Sequence, residues 1–169
     1  MAVYYYLAVA CADRLAAAAV AARFDGLTLA LSDGLSIRCR ADSLQDWAGA
    51  WWCSVRPYGA SINAFDAAGQ PEPNLTTRAQ RSEIGHLLYQ HLRAAPPFRY
   101  ALFGAEALEQ FFDVHSVYNR VLREPKIIAD GWAGLVIDLA LWEQTGRSPH
   151  YEPFGPDHVW QPYRGEDQW

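Results

Sequence analysis

Residues 2–40 read AVYYYLAVACADRLAAAAVAARFDGLTLALSDGLSIRCR, and this stretch decides the fold. Val3, Tyr5, Leu7 and Val9 alternate with Tyr4, Tyr6 and Ala8, the period of two that a pleated strand needs. Asp13 then predicts a helix N-cap. Leu15, Ala18, Ala19 and Ala22 recur at helical spacing on one stripe until Gly26 ends the helix. Leu27, Leu29 and Leu31 point one way in a second strand. Asp33-Gly34 predicts a type I′ turn, and Leu35, Ile37 and Cys39 return on the same face, with Ser36, Arg38 and Arg40 outside. The opening is therefore β-α-β-β with one buried face.

Working outward, Ser43 and Asp46 predict the start of a short helix that carries Leu44, Trp47, Ala48 and Trp51 on one side. Its geometry makes Trp47 and Trp51 neighbours and turns Trp52 about 100° away. Extended pieces around Val55 and from Ser61 to Phe65 would complete β-α-β-β-α-β, the order of a ferredoxin-like sandwich. The polar loop 66–76, with its glycine and prolines, is the best candidate for an internal boundary.

A capping box at Thr77 and Gln80 opens the clearest helix. Ile84, Leu87, Leu88, His91, Leu92 and Ala95 form its apolar stripe, Arg78, Arg81, Gln90 and Arg93 lie outside, and Pro96-Pro97 ends it. A strand over 98–103, a helix over 105–112, a short buried strand over 135–137 and a helix capped by Asp138 follow; 114–122 fits helix and strand equally. From Arg147 onward, prolines alternate with aromatics, which predicts an ordered, extended segment wrapped over the body. The expected architecture is a single α+β domain over 1–169. It has an antiparallel or mixed sheet of four to six strands and helices on one face.

A chain of 169 residues is long enough to bury about 70% of the surface its unfolded form exposes. The three cysteines, Cys11, Cys39 and Cys53, have no metal-type spacing and read as buried free thiols in a reducing cytoplasm. No basic residue precedes the short apolar run ending at Cys11, so a signal peptide is not expected. No stretch reaches the ~20 apolar residues of a membrane span.

Charge is unevenly placed. Residues 1–65 hold five Arg and five Asp, and 66–123 are also balanced. Residues 124–169 carry eight carboxylates (Glu124, Asp130, Asp138, Glu143, Glu152, Asp157, Glu166 and Asp167) against Lys126, Arg147 and Arg164, so this segment holds the whole net charge of −5. That distribution argues against nucleic acid or an anionic membrane as partner and favours a basic protein. Trp132, Trp142, Tyr151, Trp160, Tyr163 and Trp169 share the segment, and aromatic anchors beside carboxylates suit a binding surface. Asp138, Trp142, Glu143, Tyr151, Glu152, Asp157 and Trp160 are the candidate partner-binding residues.

Catalytic signatures are absent from the sequence: there is no G-x-S-x-G and no phosphate-binding glycine loop. Glu83 and His86 are three apart on a helix, within about 60° of each other, and with His115 form the alternative reading of a metal-dependent hydrolase. His91 lies about 140° round from His86 and cannot share a metal with it inside that helix. A small-molecule sensor with an aromatic pocket is a further alternative. In size, acidity and lack of a catalytic constellation the chain resembles the small, single-domain immunity proteins with which bacteria neutralise toxins delivered by neighbouring cells. The resemblance implies a cytoplasmic, non-catalytic inhibitor without cofactor that occludes a basic surface. It carries over no family residues.

Overall fold

The computed structural model describes residues 2–63, 65, 69–71, 73–108 and 133–166. Over these the chain runs β1 (Tyr5–Cys11), α1 (Arg14–Phe24), β2 (Thr28–Ala30), β3 (Ser36–Gln45), β4 (Trp51–Pro57), α2 (Arg78–Leu92), β5 (Tyr100–Ala105), β6 (Val136–Asp138), α3 (Leu139–Gln144), β7 (Glu152–Gly155) and β8 (His158–Trp160). The fold is α+β. One sheet of 8 strands, ordered β2-β3-β4-β1-β5-β6-β8-β7, takes every pairing antiparallel. The expected four to six strands fall short because the C-terminal hairpin joins the sheet.

Local signals set the helix ends. The Asp13 carboxylate accepts the Ala16 N–H at 2.8 Å, and Gly26 leaves the helix at φ +74°. Thr77 and Gln80 complete the capping box on α2, and Asp138 caps α3 through the Leu141 N–H at 2.7 Å. The buried face of α1 is not the expected one. Ala17, Val20, Ala21 and Phe24 pack inward, while Ala18, Ala19 and Ala22 are exposed and Leu15 is 80% exposed. In an alanine-rich helix the two bulkiest residues that share a stripe, Val20 and Phe24, decide which way it turns. On α2, Ile84, Leu88 and Leu92 are buried as expected, but Arg81 is buried with them.

The β2–β3 connection is not a type I′ turn. Only Gly34 has a positive φ; Leu31 and Leu35 close the loop through a 2.8 Å hydrogen bond, and the Asp33 carboxylate accepts the Leu35 N–H at 2.9 Å. A second correction falls on Ser43–Trp51. No helix forms there. β3 runs on to Gln45 and pairs with β4 from Gln45↔Trp51 to Cys39↔Pro57. Asp46 turns the hairpin by accepting the Ala48 and Ala50 N–H groups at 2.9 and 2.8 Å and the Trp52 indole N–H at 3.0 Å. The opening is therefore β-α-β-β-β, and the ferredoxin-like order is overturned.

The sheet has two packed faces. Leu7, Val9, Ile37, Cys39, Val55 and Phe103 face α1 and α2. Ala8, Ala10, Trp52, Leu102, Ile137 and Val159 form the opposite core with Leu141 of α3. Helices thus lie on both faces rather than one. Beyond residue 147, where an ordered, extended wrap is expected, the chain forms the β7–β8 hairpin. Pro153 sits on the edge strand β7, where a missing N–H costs no ladder bond, and the register shifts between Pro153 and Gly155. The expected helix 105–112 is described only at its start, and 114–122 lies outside the described residues.

Candidate functional site

The seven candidate partner-binding residues all belong to the β6-β8-β7 end of the sheet, but they divide between its faces. Register places Asp138 opposite His158, and Trp160 opposite Val136 on one side and Glu152 on the other. Val136, Phe154 and Trp160 pack into the core shared with α2. By strand alternation Asp138, Glu152 and His158 lie on that face too. Tyr151 and Trp142 pack into the core on the other face. The Trp142 indole donates to the Ser148 carbonyl at 3.1 Å, which pins the chain after α3. Glu143 pairs with Arg147 at 2.8 Å on the exposed surface, an interaction of small worth. Tyr151 is buried, and burial pushes its hydroxyl above the ordinary value, so it serves packing. Trp132 and Trp169 lie outside the described residues.

Between the C-terminal end of α2 and the β7–β8 hairpin is a cleft of about 270 Å³ that brings Asp138 and Asp157 together. Its walls include Phe98, Phe154 and His158, and Leu92, Arg93 and Ala95 from the helix end. The Leu139 N–H donates to the Asp157 carbonyl at 3.1 Å, which ties the hairpin turn to the start of α3. Phe98 and His158 stack at 4.0 Å with 18° between planes, and His158 Nε2 lies 2.9 Å from the Phe98 carbonyl. The Arg93 guanidinium is committed to the wall. It donates to the Phe154 carbonyl and lies 4.4 Å over the Phe154 ring and 5.1 Å over Trp160. Two carboxylates, one of them capping α3, thus meet aromatic faces, the Arg93 guanidinium and the carbonyl end of a helix at this cleft.

Among the described residues the metal alternative finds no centre. Both Glu83 oxygens are taken by Ser32, from its N–H at 2.7 Å and its hydroxyl at 3.0 Å, so Glu83 ties α2 to the β2–β3 loop. His86 is exposed, with its ring centroid 5.0 Å from that of Tyr163, and His115 lies outside the described residues. Among the described residues no group of three His, Cys, Asp or Glu could hold a metal. Cys11, Cys39 and Cys53 are free and buried; burial pushes the thiols up, to about 11 for Cys11 and about 12 for Cys39, and higher again for Cys53. Thiols so held are poor nucleophiles.

One polar cluster escaped the sequence reading. Arg81, Tyr5, Tyr163 and Glu166 meet in the core beside α2. The Arg81 guanidinium lies 5.2 Å over the Tyr5 ring and donates to the Thr76 carbonyl at 2.8 Å. The Tyr163 hydroxyl donates to Glu166 Oε1 at 2.5 Å, and the Glu166 N–H donates to the Ser82 hydroxyl at 2.8 Å. Burial raises the Glu166 carboxyl above its ordinary value, against the hydrogen bond from Tyr163 and the charge of Arg81. Burial, with the Glu166 charge added, raises Tyr163 as well. The cluster fastens the last described residues to α2. Its signal was Arg81 falling three residues before Ile84, on the edge of the apolar stripe.

No protein-family model, curated protein or solved structure matches the chain. Among the described residues no helix is long and apolar enough to cross a membrane.

Proposed function

We propose that the chain is a cytoplasmic, non-catalytic binding protein of the bacterial immunity type, which neutralises a toxin by covering a basic surface around its active site. The observation that supports this reading is the meeting of Asp138 and Asp157 on one cleft with aromatic walls. A Lys or Arg side chain of the partner enters the cleft. The two carboxylates take its charge, and the Phe98–His158 stack offers a ring face to its stem. Glu152 and the other carboxylates of this acidic segment steer the encounter, and inhibition is steric.

The test is capture by the tagged chain from source-cell lysate, at low and high salt, beside the double variant Glu152→Lys/Asp157→Lys. One stoichiometric basic partner is expected, lost at high salt and bound at least tenfold more slowly by the variant. Equal association rates for both forms remove these carboxylates from the interface. A partner held equally at both salt concentrations rules out electrostatic steering.

A further inference from the structure

The sheet ends in two unlike edges. At one end β7 carries Glu152 and Pro153, and its register with β8 shifts between Pro153 and Gly155. Charge, proline and an irregular register each hinder the addition of a further strand. At the other end β2 has none of these. Leu27 to Leu31 reads Leu-Thr-Leu-Ala-Leu, without charge or proline, and the register with β3 is regular.

The hydrogen bonds show which groups face outward. The Cys39 N–H donates to the Leu27 carbonyl at 2.7 Å, and the Leu31 N–H donates to the Leu35 carbonyl at 2.8 Å, with Leu29 opposite Ile37 between them. Bonded pairs alternate along an antiparallel ladder, so Thr28 and Ala30 turn their N–H and C=O groups away from β3. Both residues are exposed, and among the described residues nothing pairs with these outward groups.

A two-fold axis at Leu29 satisfies this edge with itself. Thr28 then lies opposite Ala30 of a second copy, and Ala30 opposite Thr28 of that copy, so each outward N–H meets an outward C=O. Charge fits the same register. Continued along the edge, it sets Gly26 opposite Ser32 of the second copy, beside Asp33 of that copy. A Cβ built on Gly26 falls 3.7 Å from Arg38 Nη2, so the Arg38 guanidinium lies along this end of the edge. Arg38 is exposed, and among the described residues no hydrogen bond or ion pair engages its guanidinium. Asp33 is exposed as well. Its carboxylate accepts two neutral donors, the Leu35 N–H at 2.9 Å and Gln80 Nε2 at 2.5 Å, which fix its position; no described cation pairs with it. Across the axis each Arg38 therefore faces an Asp33, and opposite charges meet at both ends of the paired segment.

We propose that β2 is a self-association edge: two copies pair antiparallel through Thr28 and Ala30 about Leu29, and one sheet continues into the next. The paired segment is short, so the dimer is weak and forms as concentration rises. This edge lies at the opposite end of the strand order from the acidic cleft and does not depend on it.

The test is sedimentation of the full chain between about 10 μM and about 1 mM, with amide spectra of the ¹⁵N-labelled protein over the same range. A monomer–dimer equilibrium with Kd below about 1 mM is expected, and the Thr28 and Ala30 amides should shift with the same midpoint. Ala30→Pro removes one outward donor without touching the bonds to β3, and should abolish the dimer. Arg38→Glu should weaken it about tenfold, because the axis repeats the change, and Arg38→Glu/Asp33→Lys should restore it. Arg38 is exposed, so Arg38→Glu decides the matter should another variant fail to fold. A chain that stays monomeric throughout, a dimer in which these amides do not move, equal association by Arg38→Glu, or species larger than a dimer each overturns the proposal. Amides that move only when source-cell lysate is added assign the edge to another protein and overturn it too.

Discussion

The Tyr163 ring lies where a side chain at Gly85 would begin: a Cβ built on Gly85 falls 2.5 Å from Tyr163 Cε1. Gly85 is mid-helix, where glycine is otherwise unfavourable, so its place in α2 is explained by this close approach. Gly85→Ala is expected to destabilise the fold by about 1–3 kcal/mol in urea unfolding through overpacking. In a Tyr163→Ala background the same change should cost nothing or stabilise, since the obstacle is gone and alanine is the better helix former. An equal cost in both backgrounds would disprove the contact.

Glu166 makes stability depend on pH in a stated direction. Burial raises its folded pKa above the ordinary 4.5, so the fold prefers the protonated acid. The stability this supplies is complete below pH 4.5 and is lost as pH rises through the raised folded value. Glu166→Gln keeps an acceptor for the Tyr163 hydroxyl and does not titrate. The stability of the variant relative to the parent should therefore grow between about pH 4 and pH 8. A flat difference across that range would mean Glu166 is not desolvated.

On α1 the largest apolar side chain that lies outside the core is Leu15, and Phe24 is fully buried. Leu15→Gln should change unfolding free energy by less than about 0.5 kcal/mol. Phe24→Ala should cost about 3–5 kcal/mol. The reverse order would restore the stripe Leu15, Ala18, Ala19 and Ala22 as the packed face.

All three thiols should be slow toward a disulfide reagent at pH 8 in the native protein and fast in denaturant. Burial holds each thiol above the ordinary value of 9.0 and removes it from contact with the reagent. A thiol that reacts at the denatured rate without unfolding would place that cysteine outside the core.

What the sequence by itself determined is local. Asp13, Thr77 with Gln80, and Asp138 cap helices because their side chains reach N–H groups two or three residues away, whatever the rest of the chain does. The alternation of Tyr5, Leu7 and Val9 likewise fixed β1.

Tertiary structure decided the rest, because burial and strand pairing join residues far apart in the chain. Asp46, which reads as a helix-capping acid, spends its oxygens on a hairpin turn and on Trp52 once β4 pairs with β3. The nearly uniform alanines of α1 left its buried face to be set by Val20 and Phe24 against the sheet. The prolines after Arg147 disguised a hairpin, because an edge strand tolerates them. Arg81 is buried because Tyr5 and Glu166, from opposite ends of the chain, reach it there. Asp138 and Asp157 came to line one cleft only when the sheet laid β8 beside β6.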